Sequence, residues 1–285
     1  DAIDPAPYDK LVVATGAQLE PERVPGLAEG GHHFYGEDGS QALRDELLEM
    51  NGGHIVLSVV GTPHMCPAAP LEFTFMVDDW LRERGRRDAF DITYTYPIMR
   101  VHGNEHIAEW ADPRLRERDI AIETMFNAEA VDPDVETITS MEGTELDYDL
   151  LVAIPPHTGS DFVESAGLGD GGWVDVDKHT LEATGFDDVY AIGDAAQTGV
   201  PKAGSAAHYQ AHVVAQRLAS EVRGQPATAV YSGKTVCFIE TGMDDATFVE
   251  FDYERPPEPS EPSRAMHWSK LAYNESYWLT ARGLL

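Results

Sequence analysis

The chain has 285 residues, 42% of them hydrophobic, which is enough to bury a sizeable core in two packed units and excludes a disordered chain. Asp and Glu total 50 against 20 Lys plus Arg, a formal charge of −30 that excludes nucleic acid and anionic headgroups as partners at low salt. The acids are spread along the chain and only five residues are lysine, a composition like that of proteins from a salt-saturated cytoplasm, where screening suppresses self-repulsion.

The first motif is an apolar strand, Leu11-Val12-Val13-Ala14, ending in Thr15-Gly16, where a missing Cβ permits a sharp turn or close approach to a ligand. A second apolar run, His54 to Val60, predicts a buried strand. It leads into the turn Gly61-Thr62-Pro63-His64-Met65-Cys66-Pro67, and a helix is predicted to open near Pro70. A glycine-rich phosphate turn is expected at this place in a dinucleotide-binding unit, but this turn has one glycine followed by bulky residues, which leave no room for a pyrophosphate. After the next strand, Asp91 to Tyr96, the acid that would hold a nicotinamide dinucleotide's ribose is also absent.

Cys66 and Cys237 are the only cysteines. A thiol just before a helix start feels unpaired backbone N–H groups and the positive end of the dipole, which favours its thiolate; alternatively, each cysteine is a small interior residue. His64, two residues earlier, can lower the thiol's pKa, shuttle a proton, or simply cap the turn. His102 follows the second strand region and is a candidate proton donor. Further on, Asp188 to Asp194 reads as an apolar strand ending in Gly193-Asp194, followed by Lys202 and a Gly- and Ala-rich helix from about Gly204 to Val222. An acid in that position can accept a hydrogen bond from a sugar-type hydroxyl. His208 and His212 have the i, i+4 spacing of a helical metal pair, but no third ligand accompanies them and no metal is expected.

The segment Glu254 to Pro262 is proline-rich and reads as an extended linker. Beyond it, Met266, Trp268, Leu271, Tyr273, Tyr277, Trp278, Leu279, Leu284 and Leu285 form an aromatic-rich amphipathic pattern suited either to shallow insertion at a membrane interface or to packing on the domain. Lys270 and Arg282 are too few for electrostatic anchoring, so insertion would be hydrophobic. No apolar run reaches the roughly 18 residues needed to span a bilayer.

The order Ala14-Thr15-Gly16, then Gly193-Asp194, resembles the two-dinucleotide-binding-domain flavoproteins, and within them the sulfide:quinone oxidoreductases. Carrying the likeness are Thr62-Pro63-His64-Met65-Cys66-Pro67-Ala68-Ala69-Pro70, Gly172-Trp173-Val174-Asp175-Val176-Asp177-Lys178, Val200-Pro201-Lys202, and Tyr231-Ser232-Gly233 leading to Cys237 and Phe251-Asp252-Tyr253. The resemblance implies an α/β fold of tandem Rossmann-like, three-layer domains with a C-terminal extension. Residues 1–50 and 156–225 would complete an FAD-binding domain, 51–155 form a second, NAD-like domain, and 226–285 a sulfur, quinone and membrane-interface region. No Gly-x-Gly-x-x-Gly turn occurs, so the first βαβ unit, roughly one hundred residues, is expected to be missing from a fragment.

The function so implied is FAD-dependent oxidation of sulfide to sulfane sulfur through a redox cysteine pair, with electrons passed to a quinone and sulfur to a small acceptor. By resemblance, Cys66 is the flavin-facing thiol and Cys237 the persulfide carrier, with His64 as an accessory group. Thr15, Gly16, Gly193, Asp194 and Lys202 would bind FAD. Many bacterial members carry a third cysteine, and none lies between Gly26 and Met50, which favours handing on one sulfur at a time. The expected location is peripheral, on the cytoplasmic face of the cell membrane. A type II NADH:quinone dehydrogenase-like flavoprotein and a non-enzymatic flavoprotein-fold module are the alternatives.

Overall fold

A computed structural model describes residues 7–282. Leu284 and Leu285 of the carboxyl-terminal apolar pattern lie outside the described residues. In chain order the principal elements begin with β1 (Leu11–Val13), α1 (Gly36–Glu49), β2 (Gly53–Val59), α2 (Ala69–Glu83), β3 (Phe90–Tyr96), α3 (Glu105–Glu117) and β4 (Ala121–Thr124). They continue with β5 (Leu150–Ile154), β6 (Trp173–Asp175), β7 (Val189–Ala191), α4 (Gly204–Val222), β8 (Thr235–Glu240), β9 (Ala246–Phe251) and α5 (Arg264–Ala281). The fold is mixed α/β with parallel sheets, as expected.

The chain divides into two compact units. The first comprises residues 1–18, 158–236 and 251–255; the second comprises 19–157, 237–250 and 256–285. This division differs from the one drawn from sequence, because residues 19–50 group with the second unit. There His32 bridges in parallel to Val152 on β5, and Val24 and Leu27 join the core of Val56, Phe126, Val131 and Leu151.

In the second unit a parallel sheet runs in the order β4-β3-β2-β5, with Ile55 opposite Ile92 and Leu150, and Thr93 opposite Ala121. The near-continuous apolar run of β2 is buried on both faces, as such a sheet requires. Its one polar interior member, Ser58, accepts a 2.9 Å hydrogen bond from the Thr95 hydroxyl, so burial leaves it satisfied. Helix α2 presents Leu71, Phe75 and Leu81 to the interior at helical spacing, together with Asp78. Asp78 is fully buried, and three guanidinium groups surround it: Arg87 at 2.6 Å, Arg82 at 2.9 Å and Arg118 at 3.0 Å. Burial alone would raise the Asp78 pKa, yet the three arginine hydrogen bonds hold it below the usual carboxylate range.

In the first unit β1 pairs in parallel with β7, with Val12 opposite Tyr190. Val13, Val163, Val174, Val189 and Ala191 form its core. The Tyr190 hydroxyl donates to Glu221 at 2.6 Å, and Lys10 joins Glu221 and Asp188 at 2.9 Å each, tying α4 to the two strands.

Candidate active site

The parallel pairing of β1 with β7 sends both motif strands out at the same sheet edge, so Thr15-Gly16 and Gly193-Asp194 follow neighbouring strand ends. Gly16 and Gly193 have φ of +71° and +69°, conformations an L side chain rarely adopts, and this is where the chain turns away from each strand. The Gly193 amide is taken up by the Gln210 side chain at 2.7 Å. The Asp194 carboxyl is raised by burial, and the opposing influence is the charge of Lys202. Lys202 donates to the Asp194 carbonyl at 2.5 Å and lies 3.7 Å from the centre of the Trp173 ring. Burial lowers the Lys202 pKa to about 8. Helix α4 opens two residues later with no side-chain cap, leaving its first amides available for acceptors.

The cysteines belong to the second unit, although 171 positions separate them (237 − 66). Both are free thiols. Cys66 sits in the left-handed region at φ 49°, an uncommon conformation for a residue with a Cβ. Its loop is fixed from two sides. The Tyr35 hydroxyl donates to the Met65 carbonyl at 2.9 Å, and the His102 ring bonds the Pro67 carbonyl while its Nδ1 accepts from the Asn104 amide at 2.9 Å. The Ala69 amide donates to the Cys66 carbonyl at 2.9 Å, and the Ala68 and Ala69 amides at the start of α2 act to favour the Cys66 thiolate, in the sense that the helix-start argument anticipates.

Those donors do not prevail. Burial pushes the Cys66 thiol up to about 12, the charge of Glu72 adds to this, and the two amides and Lys270 act in the opposite sense. Burial likewise raises Cys237 to about 12, followed in size by the charge of Cys66 and then that of Glu72, with Lys270 again opposing. Each thiol therefore lies within electrostatic reach of the same acid and the same ammonium, and Cys237 within reach of Cys66.

His64 is buried, its Nδ1 bonds the Met65 carbonyl at 3.1 Å, and its Nε2 has no partner among the described residues. Burial lowers its pKa to about 4, so at neutral pH it is an uncharged ring, 6.2 Å from that of His157. The charges bearing on Cys66 are those of Glu72 and Lys270. His208 and His212 lie on α4 with ring centres 4.7 Å apart and planes tilted by 58°, and no group of three or more metal-ligating side chains occurs among the described residues.

Sequence reasoning missed the polar cluster beside the thiols. Glu72 Oε1 accepts from the Glu240 amide at 2.9 Å and from the Lys270 ammonium. Lys270 also lies 3.6 Å from Glu240 Oε1, and His267 Nδ1 lies 3.0 Å from Glu240 Oε2. Glu72 stands six residues after Cys66 and Glu240 three after Cys237, a local signal, but only the fold brings the two segments together.

Residues 81–211 match the family described as pyridine nucleotide-disulphide oxidoreductase. The mitochondrial sulfide:quinone oxidoreductase of Mus musculus is 27% identical over 264 residues, covering 88% of this chain and 58% of that protein. The mitochondrial sulfide:quinone oxidoreductase of Dictyostelium discoideum is 26% identical over 289 residues, covering 95% and 64% respectively. The X-ray structure of the sulfide:quinone oxidoreductase from the hyperthermophilic bacterium Aquifex aeolicus has a TM-score of 0.81 at 20% identity, covering 97% of this chain and 70% of that one. The chain thus spans only 58% and 64% of the two mitochondrial relatives, and the last comparison bears on the fold alone.

Proposed function

Because the chain is a homologue of the sulfide:quinone oxidoreductases, we propose that the protein it belongs to oxidises sulfide with FAD and passes the electrons to a quinone, using Cys66 and Cys237 as its redox pair. The observation that carries this reading is that the two free thiols, far apart in sequence, lie in one compact unit beside the same Glu72–Lys270 ion pair. When they are joined as a disulfide, hydrosulfide attacks one sulfur, the S–S bond breaks, a persulfide forms on the attacked cysteine and the other leaves as thiolate. We assign the persulfide to Cys237 and the flavin-facing thiolate to Cys66. The Ala68 and Ala69 amides, which already act in favour of the Cys66 thiolate, then have a negative sulfur to stabilise. Transfer of the sulfane sulfur to a small acceptor leaves two thiols.

The first unit's residues fit a flavin. Asp194 offers a partly desolvated carboxylate, Lys202 is a partly buried cation beside it, and helix α4 opens with free amides. Thr15, Gly16, Gly193 and Asp194 would hold the cofactor's sugar-alcohol portion, and Lys202 its electron-rich edge. Bound FAD would supply the two-electron acceptor needed to return the thiols to the disulfide. His64, neutral and with an unpartnered Nε2, is suited to accept a hydrogen bond near Cys66, and not to act as a charged partner of the thiolate.

Helix α5 supports a peripheral membrane role with a quinone reached from the lipid. Trp268 and Trp278 are 64% and 69% exposed, and Leu271 and Leu279 lie on the same outward side. No helix among the described residues is long and apolar enough to cross a membrane.

The test is flavin bleaching by micromolar sulfide in the full-length, FAD-loaded protein. Bleaching in the parent that is lost in both Cys66→Ser and Cys237→Ser is the expected result. Bleaching in both variants, or rapid reduction by NADH that ignores both substitutions, would overturn the reading.

A further inference from the structure

Helix α5 has a second face. Opposite its exposed tryptophans it turns His267 and Lys270 inward, and Lys270 spans two carboxylates from different elements, Glu72 on the first turns of α2 and Glu240 at the end of β8. None of the three is free to wander: the side chains are 22%, 13% and 5% exposed. Glu240 is further held by His267, and its amide by Glu72.

The charges acting on the thiols are therefore Glu72 from α2 and Lys270 from α5, with Cys66 acting on Cys237, and Glu240 from β8 and His267 from α5 complete the cluster around Lys270 and Glu72. Two acids confront one ammonium. Any step that leaves a negative sulfur adds a third anion to this group, and in a poorly hydrated site such charges interact more strongly than in water. Glu72 acts against ionisation at both sulfurs, and Lys270 acts for it at both.

We propose that Lys270 is a positioning residue for the sulfur chemistry, the cation that compensates Glu72 and Glu240 when negative charge forms on Cys66 or Cys237. Helix α5 is then part of the thiol site and not solely a surface for lipid. The proposal rests on the reading of Cys66 and Cys237 as the reactive pair, but its test needs no sulfide, flavin or quinone. Reduced full-length protein is alkylated with iodoacetamide across the alkaline range, and the rate at each cysteine is read by mass spectrometry. At fixed pH, Lys270→Gln should slow alkylation of both thiols about tenfold, the equivalent of one pKa unit. Lys270→Arg should keep the parental rate. The charge-balanced double variant Glu72→Gln with Lys270→Gln removes the same ion pair and should recover the rate lost in the single variant. Alkylation of Lys270→Gln at the parental rate or faster would overturn the proposal. So would a double variant as slow as the single one, which would assign Lys270 a merely structural part. The expected alkylation pattern combined with no sulfide-dependent bleaching would leave the charge-compensating role of Lys270 at the thiols standing and count against the proposed function alone.

Discussion

Asp78 is a fully buried charge met by three arginines. It lies in the interior of α2 with Arg82, Arg87 and Arg118 bound to its two oxygens, and Arg118 also reaches the Thr241 carbonyl at 2.6 Å. Removing one partner of a buried ion group leaves the others desolvated without compensation. Asp78→Asn should therefore cost about 3 kcal/mol, read as a lower urea midpoint at an unchanged slope. His64 and His102 give a separate signature. Burial holds both near 4, against an ordinary value of 6.5. As pH falls below 6.5 the unfolded chain takes up protons first, so the stability present above that value is lost as pH falls through about 4. Each ring contributes a slope of about 1.4 kcal/mol per pH unit in that window. His64→Phe should flatten the profile by one ring's share, measured by urea unfolding at a series of pH values.

At the scale of elements, α5 is expected to bind neutral lipid surfaces through its outer aromatic residues. Burying a tryptophan side chain is worth about 1.5–3 kcal/mol, so Trp268→Ser and Trp278→Ser should each weaken vesicle partitioning about tenfold or more, measured by flotation with uncharged vesicles. The helix also marks the limit of what is legible in the sequence. Strand β2 is readable because a strand buried on both faces must be apolar nearly throughout, β3 because β-branched and aromatic residues alternate from Ile92 to Tyr96, and α4 because its alanine-rich segment opens after Pro201 and closes before Gly224. Which way α5 faces is different. Its apolar and polar residues are mixed, and its orientation depends on Glu72 and Glu240, themselves 168 positions apart, so Lys270 reads as a surface charge until the fold is known. The same holds for the thiols: the donor amides beside Cys66 follow from a local helix start, while the burial that outweighs them comes from distant segments.

For the whole molecule the governing number is the charge of −30. Its repulsion acts over the Debye length, which falls to about 3 Å at 1 M salt. The melting temperature should rise steeply with KCl, whereas the loss caused by Asp78→Asn should change little, because a buried group is screened far less; thermal scans of both proteins across a salt series would check this. Against that field of acids the five lysines acquire meaning. Lys10 is paired with Asp188 and Glu221, Lys178 lies over Tyr253, Lys202 over Trp173, Lys234 over Tyr209, and Lys270 between Glu72 and Glu240. None serves as mere solubilising decoration. Each lysine amine has an assigned seat, so capping of the lysine side chains would here strike a structural or chemical joint at each of the five.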